Sequence, residues 1–100
     1  YFILGGMSDR TSESLAILDR LLPALDALPA GVHREQILEA AQALRRALAA
    51  FHMEAIRFRM FSVDRLLRIE GEQGPIRLMF EELRQSLETA GFHTRSHTAP

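Results

Sequence analysis

The spacing of apolar residues along the chain predicts an all-α protein of three helices. Intervals of three and four, typical of one buried helix face, recur in every apolar segment. The first helix is expected at about residues 12–28, with Thr11 or Ser12 as its N-cap. Pro23 removes an amide donor inside this segment, so a kink or restart is expected there. The apolar stripe of this helix consists of Leu15, Leu18, Leu22 and Leu25.

The second predicted helix is unusually long. Residues 33–70 contain neither Gly nor Pro and are rich in Ala, Leu, Arg and Glu, which are strong helix formers. A single helix over this range would extend about 55 Å at 1.5 Å per residue. The alternative is a break near Ser62, whose hydroxyl can cap a new helix.

The third helix is predicted at about residues 75–90. Gly71 suits the end of the long helix and Pro75 suits a first helical turn. Gly91 followed by Phe92 is typical of a helix terminator with an apolar residue folded back. The two shorter helices are therefore expected to flank the long one, each antiparallel to its own half.

The predicted helices form a single domain over residues 7–92. Residues 1–6 combine a short apolar stretch with two glycines and are interpreted as a leader ahead of a native start at Met7. Residues 93–100 are polar and are expected to form a flexible tail.

The long helix carries more apolar surface than one neighbouring helix can cover. From residue 51 onward two apolar stripes together span roughly 200°, about twice the width of a single-neighbour stripe. Association of two chains into a dimeric helical bundle would cover both stripes. Parallel and antiparallel dimers both satisfy the pattern, and an antiparallel one brings four helices into every layer. The residues expected at this interface are Phe51, Met53, Ile56, Phe58, Met60, Phe61 and Val63.

Composition narrows the classes of partner. The formal net charge is −1, and every basic side chain is Arg, as in a GC-rich bacterial genome. These arginines are scattered around the predicted helices, which argues against a nucleic-acid partner. No apolar run approaches the roughly 20 residues that cross a bilayer, so no membrane partner is predicted. The absence of Cys excludes disulfides and thiolate metal sites and fits a cytoplasmic protein.

Three polar side chains interrupt the apolar surface at intervals of seven residues. Arg45, His52 and Arg59 would lie on one side of a continuous helix, where they could line a groove for an anion or carboxylate. The structural interpretation is that they flank the seam and pair with carboxylates such as Asp19, Asp26 or Glu70 across an interface. Phosphotransfer at His52 is also considered, but a position inside the apolar surface argues against it.

No cofactor or metal centre is predicted. His93 and His97 have a metal-compatible spacing but lie in the polar tail, so only adventitious metal binding is expected there. The Glu-x-x-His pattern of di-iron bundles is absent from the sequence. No catalytic triad, phosphate loop or dinucleotide fingerprint occurs, so no catalytic residue is assigned.

The sequence therefore favours a small non-enzymatic helical homodimer that acts as a protein-interaction, regulatory or scaffold module. Its partner is a second copy of itself, with another protein on the Phe- and Met-rich surface as a further candidate. The alternative is a small-molecule or anion-binding protein, a class that includes enzymes, with an Arg/His groove at the dimer interface.

Overall fold

The computed structural model describes residues 2–29, 31–71 and 74–92, and it contains four helices in these ranges. No strand occurs in the described residues. The all-α fold class is confirmed, and the prediction of three helices is wrong because the central segment forms two. The helices are α1 (Phe2–Asp26), α2 (Val32–Ala49), α3 (Met53–Glu70) and α4 (Pro75–Thr89).

The four helices run alternately up and down. His33 near the start of α2 contacts Glu70 at the end of α3, with Nδ1 and Oε2 2.9 Å apart. In α1 the Ser14 hydroxyl lies 2.8 Å from that of Ser86, which belongs to the end of α4. Helices α1 and α2, α2 and α3, and α1 and α4 pack closely, whereas α3 and α4 touch less. This arrangement is that of an antiparallel four-helix bundle.

The predicted helix over residues 33–70 breaks between Ala49 and Met53. Phe51 adopts a left-handed conformation with φ 59°. The amide of Phe51 donates to the Leu48 carbonyl at 3.1 Å, and the next amide donates to the Ala47 carbonyl at 3.0 Å. These two bonds form a complete Schellman termination, which satisfies the last carbonyls of α2 and reverses the chain.

His52 joins the two helices that this break creates. Its amide completes the termination of α2. Its backbone is extended, and its Nδ1 accepts a hydrogen bond of 3.3 Å from the Ala55 amide at the start of α3. His52 is thus the N-cap of α3. Ser62, the break point considered from the sequence, lies inside α3.

Helix α1 also differs from its predicted bounds. It begins at Phe2, well before the expected start near residue 12, and continues through Pro23 to Asp26 without a restart. Thr11 and Ser12 therefore lie inside the helix and are not its N-cap. Helix α1 is long enough to contact both α2 and α4 along its length.

The helix boundaries in the second half of the chain lie where the sequence predicts them. Gly71 ends α3 in the left-handed region with φ 73°, and Pro75 occupies the first turn of α4. Beyond α4, Gly91 has φ 97°, and the Phe92 amide donates to the Leu87 carbonyl at 2.9 Å. Phe92 is 1% exposed, so this apolar residue folds back into the bundle as expected.

All four helices contribute to one core. Because α3 folds back on α2, the stripe formed by Ile56, Met60, Val63 and Leu67 is covered by the chain's own helices. The premise that a second chain must cover this stripe is therefore wrong. The largest fully buried side chains are Phe80, Phe92, Leu18, Leu21, Leu25, Ile37, Leu44, Leu48, Ile56, Met60, Leu67 and Leu83.

Candidate functional site

The three residues predicted to line one groove lie in three different settings. The Arg45 guanidinium on α2 donates from Nε and Nη2 to the two Asp19 oxygens, at 2.7 and 3.2 Å. This hydrogen bonding lowers the pKa of the Asp19 carboxyl and raises that of Arg45. His52 lies in the turn, and Arg59 lies on α3. The break at Phe51 removes the continuous helix face that would have aligned them.

Arg59 instead lines a cleft between α2 and α3 with a volume of about 250 Å³. Arg46 reaches the same cleft from α2, and Ser62 lies on its α3 side. Neither Arg46 nor Arg59 forms a salt bridge with any described residue. The remaining lining residues are Gln36, Glu39, Ala40, Ala43 and Leu66. The cleft could take a small anion, and Arg46 is a lining residue that the sequence did not indicate, since the periodicity placed it outside the predicted groove.

The predicted interface residues divide into a buried and an exposed group. Ile56, Met60 and Val63 are at most 1% exposed and belong to the core of the single chain. The exposed group consists of Phe51 at 41%, Met53 at 45%, Phe58 at 58% and Phe61 at 39%. The exposed group therefore leaves apolar surface outside the core.

Phe51 is partly occupied by the chain's own packing. Its ring meets the Phe92 ring edge to face, with centroids 5.4 Å apart and planes at 78°. The contact joins the turn between α2 and α3 to Phe92, which lies just beyond the end of α4. Phe51 therefore stabilises the turn in two ways, through its backbone hydrogen bond and through the contact of its ring with Phe92.

Phe58 and Phe61 lie on the side of α3 that faces away from the bundle. They are three residues apart and so are neighbours on the helix surface. The Arg59 guanidinium lies 5.2 Å from the centroid of the Phe58 ring. Glu54 and Arg65 are exposed and lie four residues before Phe58 and four after Phe61. The outer side of α3 thus presents two aromatic rings between opposite charges.

A buried ionic cluster, not predicted from the sequence, joins α3 to α4. The Asp64 side chain is 8% exposed and is bound by arginines from both helices. Arg77 approaches its Oδ1 at 2.8 Å, Arg84 approaches the same oxygen at 3.6 Å, and Arg68 approaches Oδ2 at 3.0 Å. Asp64 is therefore paired with three cations of its own chain.

The α4 side of this cluster is equally well paired. Glu81 accepts from Arg77 at 3.2 Å and from Arg84 at 3.3 Å. Both guanidiniums also lie over the Phe80 ring, 5.5 and 5.2 Å from its centroid. The cluster is satisfied within the chain, which indicates a structural role in holding α4 against α3.

Four arginines on α2 and α3 are engaged by carboxylates. Arg34 binds Glu35, Arg45 binds Asp19, Arg57 binds Glu54 and Arg68 binds Asp64. Such pairing leaves less positive charge for a phosphate backbone.

Membrane spans and clusters of metal ligands are both missing from the part of the chain that the structure describes. None of its helices is both long and apolar enough to cross a membrane. Its His, Asp and Glu side chains form no group of three or more that could hold a metal ion. The possible metal ligands His93 and His97 lie outside the described residues. No protein-family model, curated protein or solved structure matches this chain.

Proposed function

We propose that this protein is a non-enzymatic interaction module that acts as a homodimer, and that the outer side of α3 is its association surface. The observation that supports the proposal is the exposure of two adjacent aromatic side chains, Phe58 at 58% and Phe61 at 39%. Aromatic side chains that remain exposed next to one another mark interaction sites on folded domains.

The aromatic area sets the strength of the association. With about 200 Å² for a Phe side chain, the exposed fractions of Phe58 and Phe61 amount to about 190 Å² per chain. Complete burial in two chains would contribute about 10 kcal/mol at 25 cal/mol per Å². Association costs about 4–15 kcal/mol in lost freedom, so a weak, dilution-sensitive dimer is expected.

The test is light scattering after size exclusion, over a wide range of loading concentrations. The parent chain is compared with a Phe58→Ser, Phe61→Ser double variant. Leu78→Ser is the control, because Leu78 is the most exposed large apolar residue among those whose burial the structure describes, at 69%, and lies on α4. We expect the parent and the control to dimerise and the double variant to remain monomeric. Equal masses for all three proteins at every concentration would overturn the proposal.

A second candidate function is the binding of a small anion in the cleft between α2 and α3. It is favoured by Arg46 and Arg59, which line the same cleft and have no salt-bridge partner among the described residues. Arginine side chains that line a cleft offer the planar donors that bind carboxylates and phosphates.

Calorimetric titration with citrate and with inorganic phosphate tests this candidate. Arg59→Met should weaken binding at least tenfold, whereas Arg65→Met, a change on the outer side of the same helix, should have no effect. Absence of a heat signal with either anion, or equal affinities for parent and Arg59→Met, would exclude the cleft as the site.

A further inference from the structure

Four exposed residues follow one line along the outer side of α3. We call Glu54, Phe58, Phe61 and Arg65 the α3 strip. At 3.6 residues per turn they fall within an arc of about 60°, and all four are exposed. Their spacing is four, three and four residues, which reads the same from either end of the strip.

This symmetry makes the strip complementary to a reversed copy of itself. When two such helices pack antiparallel about a two-fold axis, each residue meets the one at the mirrored position. Phe58 then lies opposite the partner's Phe61, and Glu54 lies opposite the partner's Arg65. The aromatic pair and the opposite-charge pair each form twice, once on each side of the axis.

A parallel pairing of the same strips lacks this complementarity. In register, Glu54 would meet the partner's Glu54, and Arg65 would meet the partner's Arg65. Like charges at a contact are unfavourable, and opposite charges beside an apolar seam select partner and orientation. The charge pattern therefore decides between the two orientations that helix periodicity alone leaves open.

The charged ends of the strip are accessible to a second chain. Arg65 is exposed and forms no salt bridge with the described residues. The Glu54 side chain is 76% exposed, and its contact with Arg57 on the same helix, at 3.2 Å, leaves the other carboxylate oxygen available. An exposed cation beside two aromatic rings suits a carboxylate from a partner surface.

We propose that two copies of this chain associate through the α3 strip, antiparallel about a two-fold axis, with Phe58 against the partner's Phe61 and Glu54 against the partner's Arg65. This inference rests on the homodimer proposed above and specifies its orientation and register.

Charge reversal with sedimentation equilibrium tests the register. Glu54→Arg alone and Arg65→Glu alone each place two like-charge pairs in the dimer, so each should weaken it at least tenfold. The two changes combined in one chain restore opposite charges, so this double variant should dimerise within about threefold of the parent. A mixture of the two single variants should form heterodimers in preference to either homodimer.

Glu35→Arg is the matched control for Glu54→Arg. Each glutamate lies in the first turn of its helix and is bound by a nearby arginine, and the Glu35 side chain is 69% exposed. The control changes the net charge and the helix start in the same way but lies on α2. It should leave the dimer affinity unchanged.

The possible failures are distinguishable. If the parent dimerises and the combined variant is as weak as the single variants, the homodimer stands and this register is wrong. The register is also wrong if the single variants dimerise as tightly as the parent. If the parent is monomeric at every concentration, the homodimer itself fails and the register fails with it.

Discussion

The turn at Phe51 sets the architecture, so substitutions there test the fold most directly. A residue other than glycine in the left-handed region destabilises the folded chain by about 1–2 kcal/mol, because its Cβ lies too close to the following carbonyl oxygen. Phe51 has φ 59° and therefore carries this strain. The ring compensates, since its edge-to-face contact with Phe92 stabilises the folded state.

The two contributions can be separated by comparing Phe51→Ala with Phe51→Gly. Phe51 is 41% exposed, so burial of the rest of its roughly 200 Å² contributes about 3 kcal/mol, and both substitutions remove most of this. Only Phe51→Gly also removes the left-handed strain. We therefore expect the free energy of unfolding to fall by about 2–3 kcal/mol for Phe51→Ala, and by about 1 kcal/mol less for Phe51→Gly.

Urea denaturation followed by circular dichroism measures this difference, at a protein concentration where the chain is monomeric. The matched control is Ala49→Gly in the last turn of α2, where glycine should destabilise by about 0.5–1 kcal/mol relative to alanine. The preference for glycine should thus reverse between positions 49 and 51. If glycine is the worse residue at both positions, α2 and α3 form one continuous helix and the bundle described above is refuted.

Three further experiments test contacts within the bundle. Asp64→Asn should lower the free energy of unfolding by about 3 kcal/mol, as a shift of the urea midpoint, because it leaves the buried Arg84 and the half-buried Arg77 with Glu81 alone as an ionic partner. The depressed pKa of Asp19 should rise towards about 3.9 in Arg45→Gln, as followed by NMR titration of the carboxyl. Because the pKa of Asp19 is lower in the folded than in the unfolded chain, the Asp19–Arg45 pair stabilises the fold above about pH 4, and this stabilisation is lost as the pH falls further. If the free energy of unfolding fell with pH in the same way for the parent and for Arg45→Gln, this expectation would be contradicted. Leu83→Ala should cost about 2–5 kcal/mol, whereas Leu78→Ala on the same helix should cost almost nothing, since the two side chains are 0% and 69% exposed.

The sequence revealed helix ends where glycine or proline marks them. Gly71 and Gly91 both take positive φ angles, and Pro75 occupies a first turn, as the pattern predicted. The break at Phe51 has the same hydrogen-bond pattern as the one at Gly91, but a phenylalanine occupies the left-handed position. No local preference indicates such a residue there, because its strain is offset by a contact with Phe92 that exists only in the folded bundle.

The aromatic surface on α3 was predicted only in part, because its extent also depends on the tertiary fold. Helix periodicity identified an excess of apolar residues after position 51, and Phe58 and Phe61 do remain exposed. Periodicity alone could not assign Ile56 and Met60 to the chain's own core, because that assignment depends on α3 folding back against α2. Periodicity gives no sign of the Asp64 cluster for the same reason, because Arg77 and Arg84 reach Asp64 from α4.

The break at Phe51 also changes the physical basis of the dimer that we propose. With one continuous helix, a second chain would have to cover core residues, so folding and dimerisation would be inseparable. With the break at Phe51, every large buried side chain is covered within the chain, and the aromatic area left for a partner is small. Folding therefore does not require the partner. The association that we propose would then depend on a surface whose charges can select orientation, and we expect dilution to separate the two chains while each remains folded.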